Sequence, residues 1–154
     1  MTKRTPRYCR NHATPDQIAA HLHRCDAFFI PALSSRVDIR HYATKLTTHA
    51  ERFEAWSGSE LVGLVAAYLN AADFERGFIT NVSVAPEYFG QGVAAELLEH
   101  CRQHARTLGF ARLELEVARA NLKALERYLR QGYRLQHQSD ESTTLHLPLD
   151  EEIR

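Results

Sequence analysis

The spacing of apolar residues changes repeatedly along this chain, and each change predicts a new element. Ala94, Leu97, Leu98, Cys101, Ala105 and Leu108 recur at helical intervals, which predicts a helix over about residues 91–108. Gly109 follows where a C-terminal glycine cap belongs. The run Leu113-Glu-Leu-Glu-Val117 alternates instead, the two-residue period of a strand, predicted over 112–117. Thr14 is a natural N-cap with Pro15 at the first helical position, so a helix is predicted over 15–25. An apolar loop covers 28–35, and a helix follows over about 37–49. Strands are predicted near 7–11, over 52–57 and 61–70 as a hairpin around Gly58-Ser59, and over 77–84. A last helix over 121–131 ends at Gly132, before closing strands at 133–138 and 143–149. No repeat, low-complexity stretch or linker interrupts this order, and 154 residues suit one domain with one core.

The junction between Val82 and Ala95 carries chemistry. A strand gives way to a turn and then to Gly90-Gln-Gly92, which opens a helix. Glycine lets backbone approach a ligand closely, and the N–H groups of a first helical turn have no partner within the helix. Such an order forms an anion site, and Ala94 is small enough not to obstruct it. A Walker-type loop would continue with Lys-Ser or Lys-Thr, but Val-Ala follows here, which argues against a nucleoside triphosphate. A dinucleotide fold would need a third glycine and a later acidic residue within a parallel βαβ unit. Two readings remain, a pyrophosphate cradled by main chain and a helix that merely begins after a turn.

Residues 89–94, Phe89-Gly90-Gln91-Gly92-Val93-Ala94, resemble motif A of the GNAT (Gcn5-related N-acetyltransferase) superfamily, a strand followed by Gln/Arg-x-x-Gly-x-Gly/Ala. Phe89 stands where that pattern has Gln or Arg. Further on, Asn121-Leu-Lys-Ala124-Leu-Glu-Arg-Tyr128-Leu-Arg-Gln-Gly132-Tyr133 resembles motif B, Asn-x-x-Ala-x-x-x-Tyr-x-x-x-Gly-Phe/Tyr. The resemblance spans residues 50–135 well and the first part of the chain in outline. It implies an α/β (α+β) GNAT fold, a central twisted mixed β-sheet with helices on both faces in the order βααβββαβαββ. It also implies that strands 77–84 and 112–117 run parallel and splay at their C-terminal ends, where acetyl-coenzyme A pairs as an extra strand would. The residues so implied in holding coenzyme A begin with Val82, Ser83 and Val84 of the strand. Phe89, Gly90, Gln91 and Gly92 follow in the loop, then Val93, Ala94 and Ala95 at the helix start, and Asn121 and Tyr128 in motif B.

Asn121 and Tyr128 lie seven residues apart, so they project from one helical face about 10 Å apart, with small Ala124 between them. The opposite stripe, Leu122, Leu125 and Leu129, is expected to pack inward. Tyr128 fits the acid in thioester cleavage, because a phenol of pKa about 10 can protonate a thiolate whose conjugate acid titrates near about 8.5. The plainer reading is a tyrosine packed by its ring. Asn121 doubles as an N-cap. Glu116, beside the expected splay, reads either as the base for the amine or as the solvated side of a strand shared with Glu114. Asn81 and Ser83 lie on the strand beside the reaction centre and are suited to orienting a water.

Nineteen basic and nineteen acidic side chains cancel, which argues against nucleic acid and against an anionic membrane surface. No apolar run approaches spanning length, and no signal-peptide core follows Met1. Cys9, Cys25 and Cys101 are scattered and odd in number, the pattern of reduced thiols in a cytoplasmic protein. His100 and His104 sit four apart without an evident third ligand, and His21, His23 and Cys25 do not converge on one ion, so no metal is expected. Trp56, Phe28 and Phe29 read as core, although the last two fall in the segment that lines the acceptor pocket in GNAT proteins. The resulting expectation is an acetyl-coenzyme-A-dependent N-acetyltransferase acting on a primary amine by direct attack. The alternative is a non-catalytic acyl-coenzyme-A-binding module. The partners expected are acetyl-coenzyme A and an amine acceptor, with self-association as a homodimer left open.

Overall fold

The computed structural model describes residues 5–149. Seven strands form one sheet: β1 (Arg7–Arg10), β2 (Glu51–Ser57), β3 (Glu60–Tyr68), β4 (Arg76–Val84), β5 (Arg112–Ala118), β6 (Arg134–Gln138) and β7 (Ser142–Pro148). Their order across the sheet is β1-β2-β3-β4-β5-β7-β6. Each neighbouring pair is antiparallel except β4 and β5, which run parallel. Four helices accompany them: α1 (Pro15–Cys25), α2 (Ile39–His49), α3 (Val93–Leu108) and α4 (Leu122–Arg130).

Helices cover both faces. One apolar cluster joins Val93, Leu97, Cys101 and Tyr128 of α3 and α4 to Leu113, Leu115 and Val117 of β5. The other joins Ile18, Leu22, Ala43 and Leu46 of α1 and α2 to Leu64 and Ala66 of β3. Because β3 lies between them, it is buried on both sides from Leu61 to Ala67, and its sequence is accordingly apolar almost without interruption. Gly63 is the point of closest approach, since a Cβ there would sit 2.8 Å from Val93 Cγ1 and 3.1 Å from Leu97 Cδ1. Its absence seats the start of α3 directly on the sheet.

Local signals set most boundaries. Thr14 accepts from Gln17 N while the Gln17 side chain accepts from Thr14 N, so a complete capping box starts α1. Helix α2 begins at Ile39 rather than 37 because the Asp38 carboxylate caps it, accepting from His41 N at 2.9 Å. Helix α3 begins at Val93 rather than 91 because Gly92 is left-handed, with φ 78°. Gly132, with φ 99°, ends α4 as the sequence predicts, letting Tyr133 N reach Tyr128 O at 3.0 Å.

The packing face of α4 corrects the sequence expectation. Leu122 is 69% and Leu129 44% exposed, whereas Tyr128 is 6% exposed and Ala124 and Leu125 pack on the core. A nine-residue helix packed on one side buries one stripe only, and the tyrosine takes it.

Candidate active site

Strands β4 and β5 pair only at Arg76↔Arg112, Gly77↔Leu113 and Phe78↔Glu114, although they run on to Val84 and Ala118. Strand β4 keeps β3 as its neighbour to Val84, and β5 keeps β7 to Ala118. The facing edges beyond Phe78 and Glu114 are therefore unpaired among the described residues, which is the splay expected from the sequence. Thr80 bulges out of β4 at this point, since Ala66 pairs with Asn81 and Ala67 with Ile79.

The gap leads into a short 3₁₀ turn, Pro86–Tyr88, and then to the glycine loop. Gly90 and Gly92 both have positive φ, 76° and 78°, and a Cβ on either would meet nothing within 4 Å. Gly92 provides no side-chain cap, and the first bond of α3 runs from Glu96 N to Gly92 O at 3.0 Å. The N–H groups of Val93, Ala94 and Ala95 precede that bond, so they face outward with the positive end of the helix dipole. This geometry suits a pyrophosphate. Phe89 is 49% exposed and meets Phe28 of the loop after α1 edge-on, ring centroids 5.2 Å apart. Phe28 is itself 54% exposed, so it is no core residue, whereas Trp56 is buried as expected.

Tyr128 is brought into the apolar cluster against which Val82 and Val84 of β4 also pack, with its ring edge-on to Tyr133 at 5.8 Å. Burial pushes its phenol up to about 12, with the Arg127 charge pulling weakly the other way. Asn121 caps α4, accepting from Ala124 N at 3.2 Å. Glu116 is exposed on β5 opposite Thr144. Glu114 differs from it despite sharing its face. It is buried and held by Arg112 at 2.8 Å and Arg76 at 3.4 Å, a structural ion pair rather than a solvated side chain. Burial raises the Cys25 and Cys101 thiols to about 12, which leaves neither as a ready nucleophile. His100 pairs with Glu96, and His104 meets Arg10.

Sequence reasoning weighed His21 only as a metal ligand and missed its contact with β4. It is fully buried on α1, with Nδ1 3.1 Å from Leu61 O and Nε2 2.9 Å from Ser83 Oγ. Ser83 Oγ lies 2.8 Å from Asn81 Oδ1, so a polar chain crosses from α1 to the part of β4 that pairs with β3 but not with β5. The available signal was its register, three residues after Ile18 and four before Cys25 on the buried stripe of α1. Burial, and next the Arg24 charge, lower its pKa from 6.5 to about 4. The unfolded chain thus binds this proton near pH 6.5 and the folded chain only near 4, so this contribution is complete above 6.5 and is lost on acidification through that window. The loss is on the order of 3 kcal/mol. Thermal unfolding followed from pH 7 to pH 4 should fall less steeply in His21→Gln than in the wild type.

The profile of the acetyltransferase (GNAT) family matches residues 15–133. This chain belongs to the GNAT family. Among curated proteins, none matches the sequence. Solved GNAT structures share its fold. The ribosomal-protein-S18-alanine N-acetyltransferase from Escherichia coli superposes with a TM-score of 0.74 at 21% identity, covering 95% of this chain and 96% of that one. An acetyltransferase from Bacillus subtilis in complex with coenzyme A gives 0.72 at 19%, over 94% and 99%. A GNAT acetyltransferase from Elizabethkingia anophelis with acetyl-coenzyme A bound gives 0.69 at 16%, over 96% and 100%. Among the described residues of this GNAT protein no group of three or more His, Cys, Asp or Glu side chains converges as metal ligands would. No helix among them is long and apolar enough to cross a membrane.

Proposed function

We propose that the whole chain is one GNAT domain acting as an acetyl-coenzyme-A-dependent N-acetyltransferase on a primary amine of a small molecule or peptide. The observation that carries this reading is the β4–β5 gap opening directly onto a glycine loop with free N–H groups. An extended pantetheine arm fits beside unpaired strand edges, where Val82 and Val84 offer main-chain groups, and residues 90–95 suit its pyrophosphate. Bound there, acetyl-coenzyme A supplies an activated acetyl thioester. Tyr128 keeps its proton at working pH and donates it, or a hydrogen bond, to a departing thiolate. Glu116, exposed at the end of β5, takes the proton of the amine directly or through one water. Asn121 caps α4 and thereby holds the helix that carries Tyr128. The buried Cys101 supports direct attack in a ternary complex over an acyl-cysteine. The free, scattered thiols support a cytoplasmic setting.

A panel of amines scored for thiol released from acetyl-coenzyme A tests the reading. Turnover on an amine supports transfer, and tight binding without turnover on any amine replaces it with a non-catalytic binding module. The cradle has its own test in Gly92→Asp. Asp tolerates left-handed backbone better than most residues and is a good N-cap, so the protein should fold. Its carboxylate would face the pyrophosphate, and losing one charge-assisted contact costs about 1.5–3 kcal/mol. Coenzyme A affinity should fall about tenfold or more. Unchanged affinity by calorimetry in the folded variant would remove the phosphate-loop assignment.

A further inference from the structure

Among the described residues, β4 has no neighbour on its β5 side beyond Phe78, and it bulges at Thr80. The two residues after the bulge that face α1, Asn81 and Ser83, are 4% and 6% exposed. The surrounding cluster is apolar, built from Ile18, Leu22, Leu64 and Ala66. Two buried polar side chains in such a setting are costly unless their hydrogen bonds are made. They bond to each other at 2.8 Å, and Ser83 bonds onward to His21 at 2.9 Å, across 62 residues of sequence. An apolar pair would fill the same space without this cost. Hydrogen bonds are directional where apolar packing is not, so the polar pair fixes the position of β4 along α1 as well as its burial.

Resting on the acetyl-coenzyme A reading above, we infer that His21 is a positioning residue for that ligand, holding the part of β4 that pairs with β3 but not with β5 in place through Ser83 and Asn81. Its two ring nitrogens divide the work. Nδ1 anchors the ring to Leu61 O, which Arg24 also serves, and Nε2 alone reaches β4. The imidazole is neutral in this setting, so Nδ1 donates to the Leu61 carbonyl and Nε2 accepts the Ser83 hydroxyl proton, and the Asn81 carboxamide then turns its NH2 to donate to Ser83 Oγ. Cys25, whose sulfur is 3.7 Å from Nε2, closes the remaining side of the ring. Main-chain groups of Val82 and Val84 flank the residue so held, and a shift there misaligns an added strand.

The division between nitrogens gives the test. An asparagine carboxamide reaches about as far as Nδ1, whereas a glutamine carboxamide reaches about as far as Nε2. Acetyl-coenzyme A is titrated calorimetrically into wild type, His21→Asn and His21→Gln, with thermal unfolding measured alongside. Affinity should fall about tenfold in His21→Asn, and His21→Gln should recover most of that loss even where the two unfold at similar temperatures. Adding Ser83→Ala to His21→Asn should cost less than Ser83→Ala costs the wild type, since the His21 part of the link is already cut and only the Ser83–Asn81 bond remains to lose. Equal affinity in the Asn and Gln variants, or losses that simply track unfolding temperature, would overturn the inference. Should His21→Asn fail to fold, Ser83→Ala cuts the same link from the β4 side and must show the same loss. Full affinity in that variant overturns the inference as well. A wild-type protein that binds no acetyl-coenzyme A overturns the proposed function together with it, whereas binding by wild type with equal variants overturns this step alone.

Discussion

Replacing Tyr128 by phenylalanine is expected to lower turnover by roughly 10²–10⁴ while coenzyme A affinity changes little. The ring lies in the apolar cluster of α3, α4 and the sheet, edge-on to Tyr133, and phenylalanine keeps both contacts. Only one O–H disappears, so the fold should survive with a loss of about 1 kcal/mol or less. Burial raises the phenol to about 12, so the acid stays protonated through any ordinary assay pH. Its loss should therefore depress the rate across the profile and not move a basic limb. The deficit should shrink with an acyl donor whose leaving thiol is more acidic, because that thiolate needs less help. Normal turnover in Tyr128→Phe, or a defect seen only as weaker binding, would leave Tyr128 a packing residue.

Glu116→Gln is expected to lower turnover about 10²-fold or more with coenzyme A binding retained. Glu116 makes no side-chain hydrogen bond or ion pair to another described residue, so its replacement breaks nothing structural. Glu114 is the contrast on the same strand face. Removing its carboxylate would take the ion-pair partner from Arg76 and one of two from Arg112, so a change there would mix structural with chemical effects. A rate defect in Glu116→Gln at unchanged unfolding temperature is thus chemical in origin. The variant should also flatten the acidic limb of the pH–rate profile. Wild-type rates at every pH would assign deprotonation to bulk water and return Glu116 to the solvated side of β5.

Legibility followed the range of the interaction. The N-cap of α1 spans Thr14 to Gln17, and the cap of α4 spans Asn121 to Ala124, so both are written in adjacent residues. The glycine loop is equally local, because positive φ at Gly90 and Gly92 needs no distant partner. Two-residue shifts at the starts of α2 and α3 arose where Asp38 and Gly92 acted as caps rather than as helical residues. Larger errors came from choices between faces. Leu122 and Leu129 are as apolar as any core residue, and only the side on which α4 meets the core leaves them outside. Phe28 is outside for a similar reason, having Phe89 of the glycine loop as its neighbour instead of a core.

By itself, then, the sequence determined the element order, the caps, the glycine loop and the family pattern, because periodicity and backbone conformation act over a few residues. Tertiary structure alone decided at which residue pair β4 and β5 stop pairing, which of two glutamates on one strand face is solvated, and that His21 reaches Ser83. Those outcomes depend on contacts between elements far apart in the chain, where each side chain's burial and partner are set by what the fold places against it.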